Sequence, residues 1–171
     1  MPPALSVVIV AYNSAGVIRD CLASIPGGWE TLRVSETLRV CDEVETIVVD
    51  NGSTDGTTDI IRNEFSWARL FADHGNLLFA GGNNYGFKQS TAPLIFMLNP
   101  DTIVHPGALK ALVGFANAHP EAGMIAPRVV NPDGSLQHNT FRFPDLKQAF
   151  FGFFEMLAPL DSPQNGRYLP E

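Results

Sequence analysis

Val44-Glu45-Thr46-Ile47-Val48-Val49-Asp50 is followed at once by Asn51-Gly52-Ser53-Thr54-Asp55-Gly56. A short apolar run rich in β-branched residues reads as a strand buried on both faces of a parallel sheet. It closes on a carboxylate, and the six residues after it are turn chemistry. A helix is expected from Thr57 to about Phe65. The stretch is therefore a strand–turn–helix unit, and the same pattern recurs on either side of it.

Upstream, Leu5-Ser6-Val7-Val8-Ile9-Val10-Ala11-Tyr12 is a second run of this kind. Residues 15–25 follow as a helix with Val17, Ile18, Cys21, Leu22 and Ile25 on one face, and Pro26-Gly27-Gly28 is expected to stop it. Downstream, residues 69–72 suit a short strand. Ala80-Gly81-Gly82-Asn83-Asn84-Tyr85-Gly86 reads as a glycine-rich loop leading into a short helix that ends near Ser90. Pro93-Leu94-Ile95-Phe96-Met97-Leu98 is a further strand, ending at Asn99-Pro100-Asp101. Pro106 suits the first position of a helix running to about Ala118. Residues 123–127 suit a fifth strand, and Asn131-Pro132-Asp133-Gly134 suits a hairpin turn. Such alternation predicts an α/β fold: a Rossmann-like, mostly parallel sheet flanked by helices on both faces. Ligands on such sheets bind at the carboxyl ends of the strands. Tyr12-Asn13, Asp50-Asn51 and Asn99 to Asp101 should therefore converge on one edge.

Composition bounds the function. The chain has 171 residues, 45% apolar and 17% charged, which suits one domain with a core and excludes disorder and coiled coil. Eleven basic against 18 acidic residues give a net charge of −7, which argues against nucleic-acid binding. A phosphorylated small ligand remains compatible, because a divalent metal can supply the positive charge. Cys21 and Cys41 make neither a disulfide framework nor a zinc pattern. No secretory leader is visible, and no run reaches the roughly 18 apolar residues of a membrane span. A cytoplasmic location is expected, with the inner face of the membrane as the alternative. Glu30-Thr31-Leu32-Arg33-Val34 recurs as Glu36-Thr37-Leu38-Arg39-Val40 and reads as a duplicated surface insertion.

Two readings stay open for Asp50. A carboxylate at a strand end can accept hydrogen bonds from a base edge or a ribose diol, or it can close its own turn. Asp55 reads as a cap for the helix at Thr57. Asp101 ends an apolar strand behind Pro100, at the rim, where one carboxylate plus a diphosphate would hold Mg²⁺. The alternative is a plain Asn-Pro-Asp turn. Gly82 and its neighbours either let backbone approach a ligand closely or form an ordinary loop. His74, His119 and His138 read as solvated, and His105 lies near the rim. Phe150, Phe151, Phe153 and Phe154 lie in an expected helix that is apolar all round. Packing within the protein is one reading; peripheral membrane contact or self-association is the other.

Taken in order, Val7 to Asn13, Ile47 to Thr57, Phe79 to Gly86 and Leu98 to Asp101 resemble the family 2 glycosyltransferases of GT-A fold, most closely their rhamnosyltransferase-like branch. The resemblance spans residues 5–144. It implies a metal-dependent, inverting transfer from a nucleoside-diphosphate sugar to a glycan or lipid-linked acceptor, in bacterial cell-wall or polysaccharide synthesis. It implies that Ala11, Tyr12 and Asn13 line the nucleotide pocket and that Asp50 binds base or ribose. Gly82, Asn83 and Asn84 would lie beside the donor. Asn99 and Asp101 would stand at the family's D-x-D position, with Asp101 as the ligand to Mg²⁺ or Mn²⁺.

Two departures mark the chain. The family pattern carries glycine two residues after the asparagine of N-x-G-F-A-G-G-N; here Asn76 and Leu77 are followed by Leu78. The family's catalytic base follows a Glu-Asp-like motif well downstream of D-x-D, and no acid between Glu121 and Glu171 fits. The expectation is a donor-binding part at residues 1–144 and an aromatic helix and tail at 145–171, with the base beyond Glu171 and little transfer by this chain alone. Two alternatives are a nucleotidyltransferase and a non-catalytic binding module. The first would want Lys or Arg in a loop after the first strand, where Tyr12-Asn13-Ser14 stands. The second would use the Phe150 to Phe154 region as its contact surface.

Overall fold

A computed structural model describes residues 2–29 and 43–137. The duplicated segment and the aromatic segment therefore lie outside the described residues. Packing divides the chain into two compact units, Met1–Ile125 and Ala126–Glu171.

In the first unit the element order is β1 (Leu5–Ala11), α1 (Ile18–Trp29), β2 (Val44–Asp50), α2 (Thr57–Glu64), β3 (Arg69–Phe71), α3 (Leu78–Gln89), β4 (Leu94–Leu98) and α4 (Ala108–Ala118). The strands form one sheet in the order β3-β2-β1-β4, and every pairing is parallel. β1 is buried along its whole length, as its unbroken apolar run requires. Its alternate residues feed two cores. Leu5, Val7, Ile9 and Ala11 meet Ile18, Cys21, Leu22 and Ile25 of α1, together with Ile61, Leu109 and Val113. Val8 packs with Ile47, Val49 and Tyr85 on the other face. Burying each of the large aliphatic side chains contributes about 1.5–3 kcal/mol.

Expectations for α1, α4 and a fifth strand need correction. Helix α1 does not stop at Pro26 but carries it inside and runs to Trp29. Tertiary contacts hold this last turn: Gly107 N–H donates to the Gly27 carbonyl, and the Trp29 indole donates to Glu43. Pro106 is not the first residue of α4. Gly107 caps that helix with φ of 75°, so the chain turns left-handed before the helix begins. Residues 123–127 are not a strand; Met124 is 86% exposed, and none of them pairs with a described strand. In the second unit the expected turn is present: Gly134 N–H donates to the Asn131 carbonyl, and Val130 bridges Leu136 antiparallel.

The amino ends of the strands are tied together at Glu45. Its carboxylate accepts from the Ser6 hydroxyl, from the Thr91 amide and hydroxyl, and from Arg69 at 2.9 Å. Burial opposes ionisation there, but these donors outweigh it and hold the Glu45 carboxyl below its ordinary value.

Candidate functional site

The sheet register brings the predicted strand ends together. Ala11 pairs with Asp50 across β1 and β2, and Ile9 pairs with Leu98 across β1 and β4. Asp50 and the Asn99–Asp101 turn thus flank the end of β1 on one edge. The strands bearing them, β2 and β4, are two strand spacings apart, roughly 10 Å. Tyr12 stands between them with its side chain 55% exposed.

The loops after β1 and β2 are zipped together. Asn13, with φ of 48°, donates its N–H to Ser53 Oγ at 2.9 Å, while Asn13 Oδ1 accepts from Thr54 N–H at 2.9 Å. Ser14 N–H donates to Thr57 Oγ1 at 2.8 Å, and Ala15 N–H donates to Asp55 Oδ2 at 2.9 Å. Asp55 Oδ1 also accepts from the Thr57 amide and hydroxyl, so it holds the first residue of α2 from one position before the N-cap, which is Gly56, and braces the first loop too. The Thr57 hydroxyl first, and then the Ala15 amide, hold the Asp55 carboxyl below its ordinary value.

Asp50 is 2% exposed. Its Oδ2 accepts from Gly52 N–H at 3.1 Å and Ser53 N–H at 2.9 Å, and its Oδ1 accepts from the Ser53 hydroxyl. The self-closing turn is therefore formed. Three of the carboxylate's roughly four acceptor directions are taken, which leaves room for one more donor.

Asn51 ties this edge to α3. Its N–H donates to the Ala11 carbonyl at 2.8 Å, its Oδ1 accepts from Leu77 N–H at 3.3 Å, and its Nδ2 donates to the Leu78 carbonyl at 3.2 Å. Helix α3 begins at Leu78, so the glycines expected in a loop lie inside a helix. A Cβ on Gly82 would sit 2.8 Å from Val10 Cγ1, and one on Gly86 would sit 2.4 Å from Val8 Cγ1. These glycines let α3 lie close on β1. Asn83 Nδ2 donates to the Phe79 carbonyl at 2.9 Å within the helix, and Asn84 is exposed. Leu78, where the family pattern has glycine, has φ of 60° and is 71% exposed. The substitution thus falls on a left-handed position that suits glycine.

Asn99 and Asp101 are exposed at the end of β4, and the Asn99 carbonyl closes a turn with Thr102 N–H at 3.2 Å. Asp101 makes no side-chain hydrogen bond to the described residues, so its carboxylate oxygens are available. Among those residues no three His, Cys, Asp or Glu side chains gather as a metal site. A lone rim carboxylate still fits a hard cation that keeps several waters and is held mainly by substrate phosphates. Cys21 beneath this turn is buried, which pushes its thiol up to about 12 and leaves it inert.

The sequence reading missed Ser53. The signal was there: a serine three residues after an aspartate at a strand end is placed to close a turn on it.

Residues 6–160 match the profile of Glycosyl transferase family 2. The chain belongs to that family. N-acetylglucosaminyl-diphospho-decaprenol L-rhamnosyltransferase of Mycobacterium tuberculosis is 27% identical over 170 residues, covering 93% of this chain and 51% of that protein. Validoxylamine A glucosyltransferase of Streptomyces hygroscopicus subsp. jinggangensis is 27% identical over 153 residues, covering 83% of this chain and 33% of that one. The family 2 chain therefore spans about half or less of the length of these relatives. S. aureus TarS in complex with UDP-GlcNAc superposes with a TM-score of 0.56 at 21% identity, covering 76% of this chain and 40% of TarS. A mannosyltransferase from Pyrobaculum calidifontis, in complex with GDP-Man and Mn²⁺, gives 0.57 at 21% identity, covering 78% and 37%. The fold of this family 2 chain is that of the GT-A glycosyltransferases. Among the described residues no helix is long and apolar enough to cross a membrane.

Proposed function

We propose that this chain binds a nucleoside-diphosphate sugar at the carboxyl edge of its sheet and supplies the donor site of an inverting glycosyltransferase. The observation that carries the reading is the convergence of Asp50, Tyr12 and Asp101 on one edge, the loops of the first two being braced against each other. Tyr12, Asn13 and the remaining acceptor direction of Asp50 would meet the nucleoside, with Ala11 buried in the strand behind them. Asn99 would lie beside the diphosphate and Asn83 and Asn84 would face the sugar side, while Gly82, buried against Val10, would set how closely α3 lies on the sheet. Asp101 would hold Mg²⁺ or Mn²⁺, whose chemistry when bound is to stabilise charge on a departing diphosphate.

In the reaction itself, an acceptor hydroxyl attacks the anomeric carbon in line with the bond to the diphosphate. That bond breaks with its electron pair, and the hydroxyl proton passes to a general base. The part played by the described residues is binding and orientation, which alone can account for a large share of a rate enhancement. The likeness to an N-acetylglucosaminyl-diphospho-decaprenol L-rhamnosyltransferase favours a lipid-linked acceptor.

Isothermal titration of the full chain with UDP and with dTDP, with and without Mn²⁺, tests this reading. Binding should depend on the metal, and Asp101→Ala should weaken it at least tenfold. Equal binding by the variant would remove Asp101 from the metal site, and no binding of either nucleotide would overturn the donor-site reading.

A further inference from the structure

We infer that Ser53 is a positioning residue of the donor site, and this inference rests on the reading of that site given above. One hydroxyl does two things. It donates to Asp50 Oδ1 and it accepts from the Asn13 main-chain N–H at 2.9 Å. It therefore joins the end of β2 to the loop after β1 at the two residues on which the donor site depends.

Each partner needs this hold for its own reason. Asn13 sits at φ of 48°, a left-handed conformation that asparagine tolerates better than other side-chain-bearing residues and that its partners here hold in place. Its main-chain N–H and its side-chain oxygen are both clamped from the second loop, by Ser53 and by Thr54. Asp50 is nearly fully buried and has two oxygens that rotation about its last side-chain bond would exchange. The amides of Gly52 and Ser53 both fall on Oδ2. The Ser53 hydroxyl is the donor that engages Oδ1 and leaves that oxygen one free acceptor direction. Without it, Oδ1 loses its donor and the carboxylate is held through Oδ2 alone, and Asn13 loses the one bond that links it to Asp50 through a single hydroxyl.

A residue that acts through Asp50 shows a particular signature in a double-mutant cycle. UDP with Mn²⁺ is the probe, and calorimetric affinity of the full chain is the readout. Ser53→Ala should weaken UDP binding about tenfold, the scale of one hydrogen bond to a charged group. Ser53→Thr, which keeps the hydroxyl, should restore most of it. Combining Ser53→Ala with Asp50→Asn should cost little more than Asp50→Asn alone, whereas combining it with Asp101→Ala should multiply the two losses. Ser53→Ala binding as tightly as the parent, or losses that multiply equally in both combinations, would overturn the inference while leaving the donor site standing. A parent chain that binds no UDP would instead overturn the site itself and the inference with it. Should Ser53→Ala unfold at the assay temperature, Ser53→Cys carries the same test, since a thiol keeps the shape but is a weak donor.

Discussion

Replacing Leu78 by alanine and, separately, by glycine isolates the backbone strain at the start of α3. Leu78 has φ of 60° and is 71% exposed, so its side chain contributes little to the core. A side-chain-bearing residue in the left-handed region costs about 1–2 kcal/mol, and alanine there bears that cost as leucine does. Glycine escapes it but loses about 0.4–1 kcal/mol through the greater freedom of the unfolded chain. The small loss of leucine contacts is common to both variants and cancels between them. Leu78→Gly should therefore be more stable than Leu78→Ala by about 0.8 kcal/mol. In an ordinary right-handed helix the order reverses, and glycine is worse than alanine by about 1 kcal/mol. The two cases differ by nearly 2 kcal/mol, well within the reach of urea unfolding followed by circular dichroism, with midpoints compared at constant slope. Leu78→Gly less stable than Leu78→Ala would refute the left-handed assignment and the explanation of why the family pattern has glycine there.

Two further outcomes follow from the packing and from the amino edge of the sheet. Gly86→Ala should lower stability by about 1 kcal/mol in urea unfolding, because overpacking against Val8, 1% exposed, outweighs the helix propensity gained; Gly114→Ala in α4, where a Cβ meets nothing within 4 Å, should raise it by about 1 kcal/mol. A gain in stability for Gly86→Ala like that of Gly114→Ala would show that α3 does not lie on its glycines. Glu45 has a folded-state value below its ordinary 4.5, so its contribution is complete above that value and is lost as pH falls through the lower folded one. Glu45→Gln should flatten the decline in melting temperature across that acid range, and an unchanged decline would show that the Ser6, Thr91 and Arg69 contacts do not favour the charged form.

The sequence determined four parallel strands and the edge on which their polar ends meet. Runs such as Val7 to Ala11 and Ile47 to Val49 have one stable environment, a strand covered on both faces, and parallel strands joined by helices must put their polar ends on one edge. The four quoted segments were also enough to indicate the family. Tertiary structure alone decided the rest. Pro26 lies inside α1 because Gly107 and Glu43 hold the turn beyond it, contacts distant in sequence. The glycines of residues 80–86 look like a loop locally, yet they become helix because only a surface without Cβ atoms fits against Val8 and Val10. Asp50 is held by the amides of Gly52 and Ser53 and by the Ser53 hydroxyl, which also meets Asn13 from another loop. Local propensity reports what a segment tolerates. Which tolerated state wins, and which lone pair is left for a ligand, depends on partners that come together only when the chain is folded.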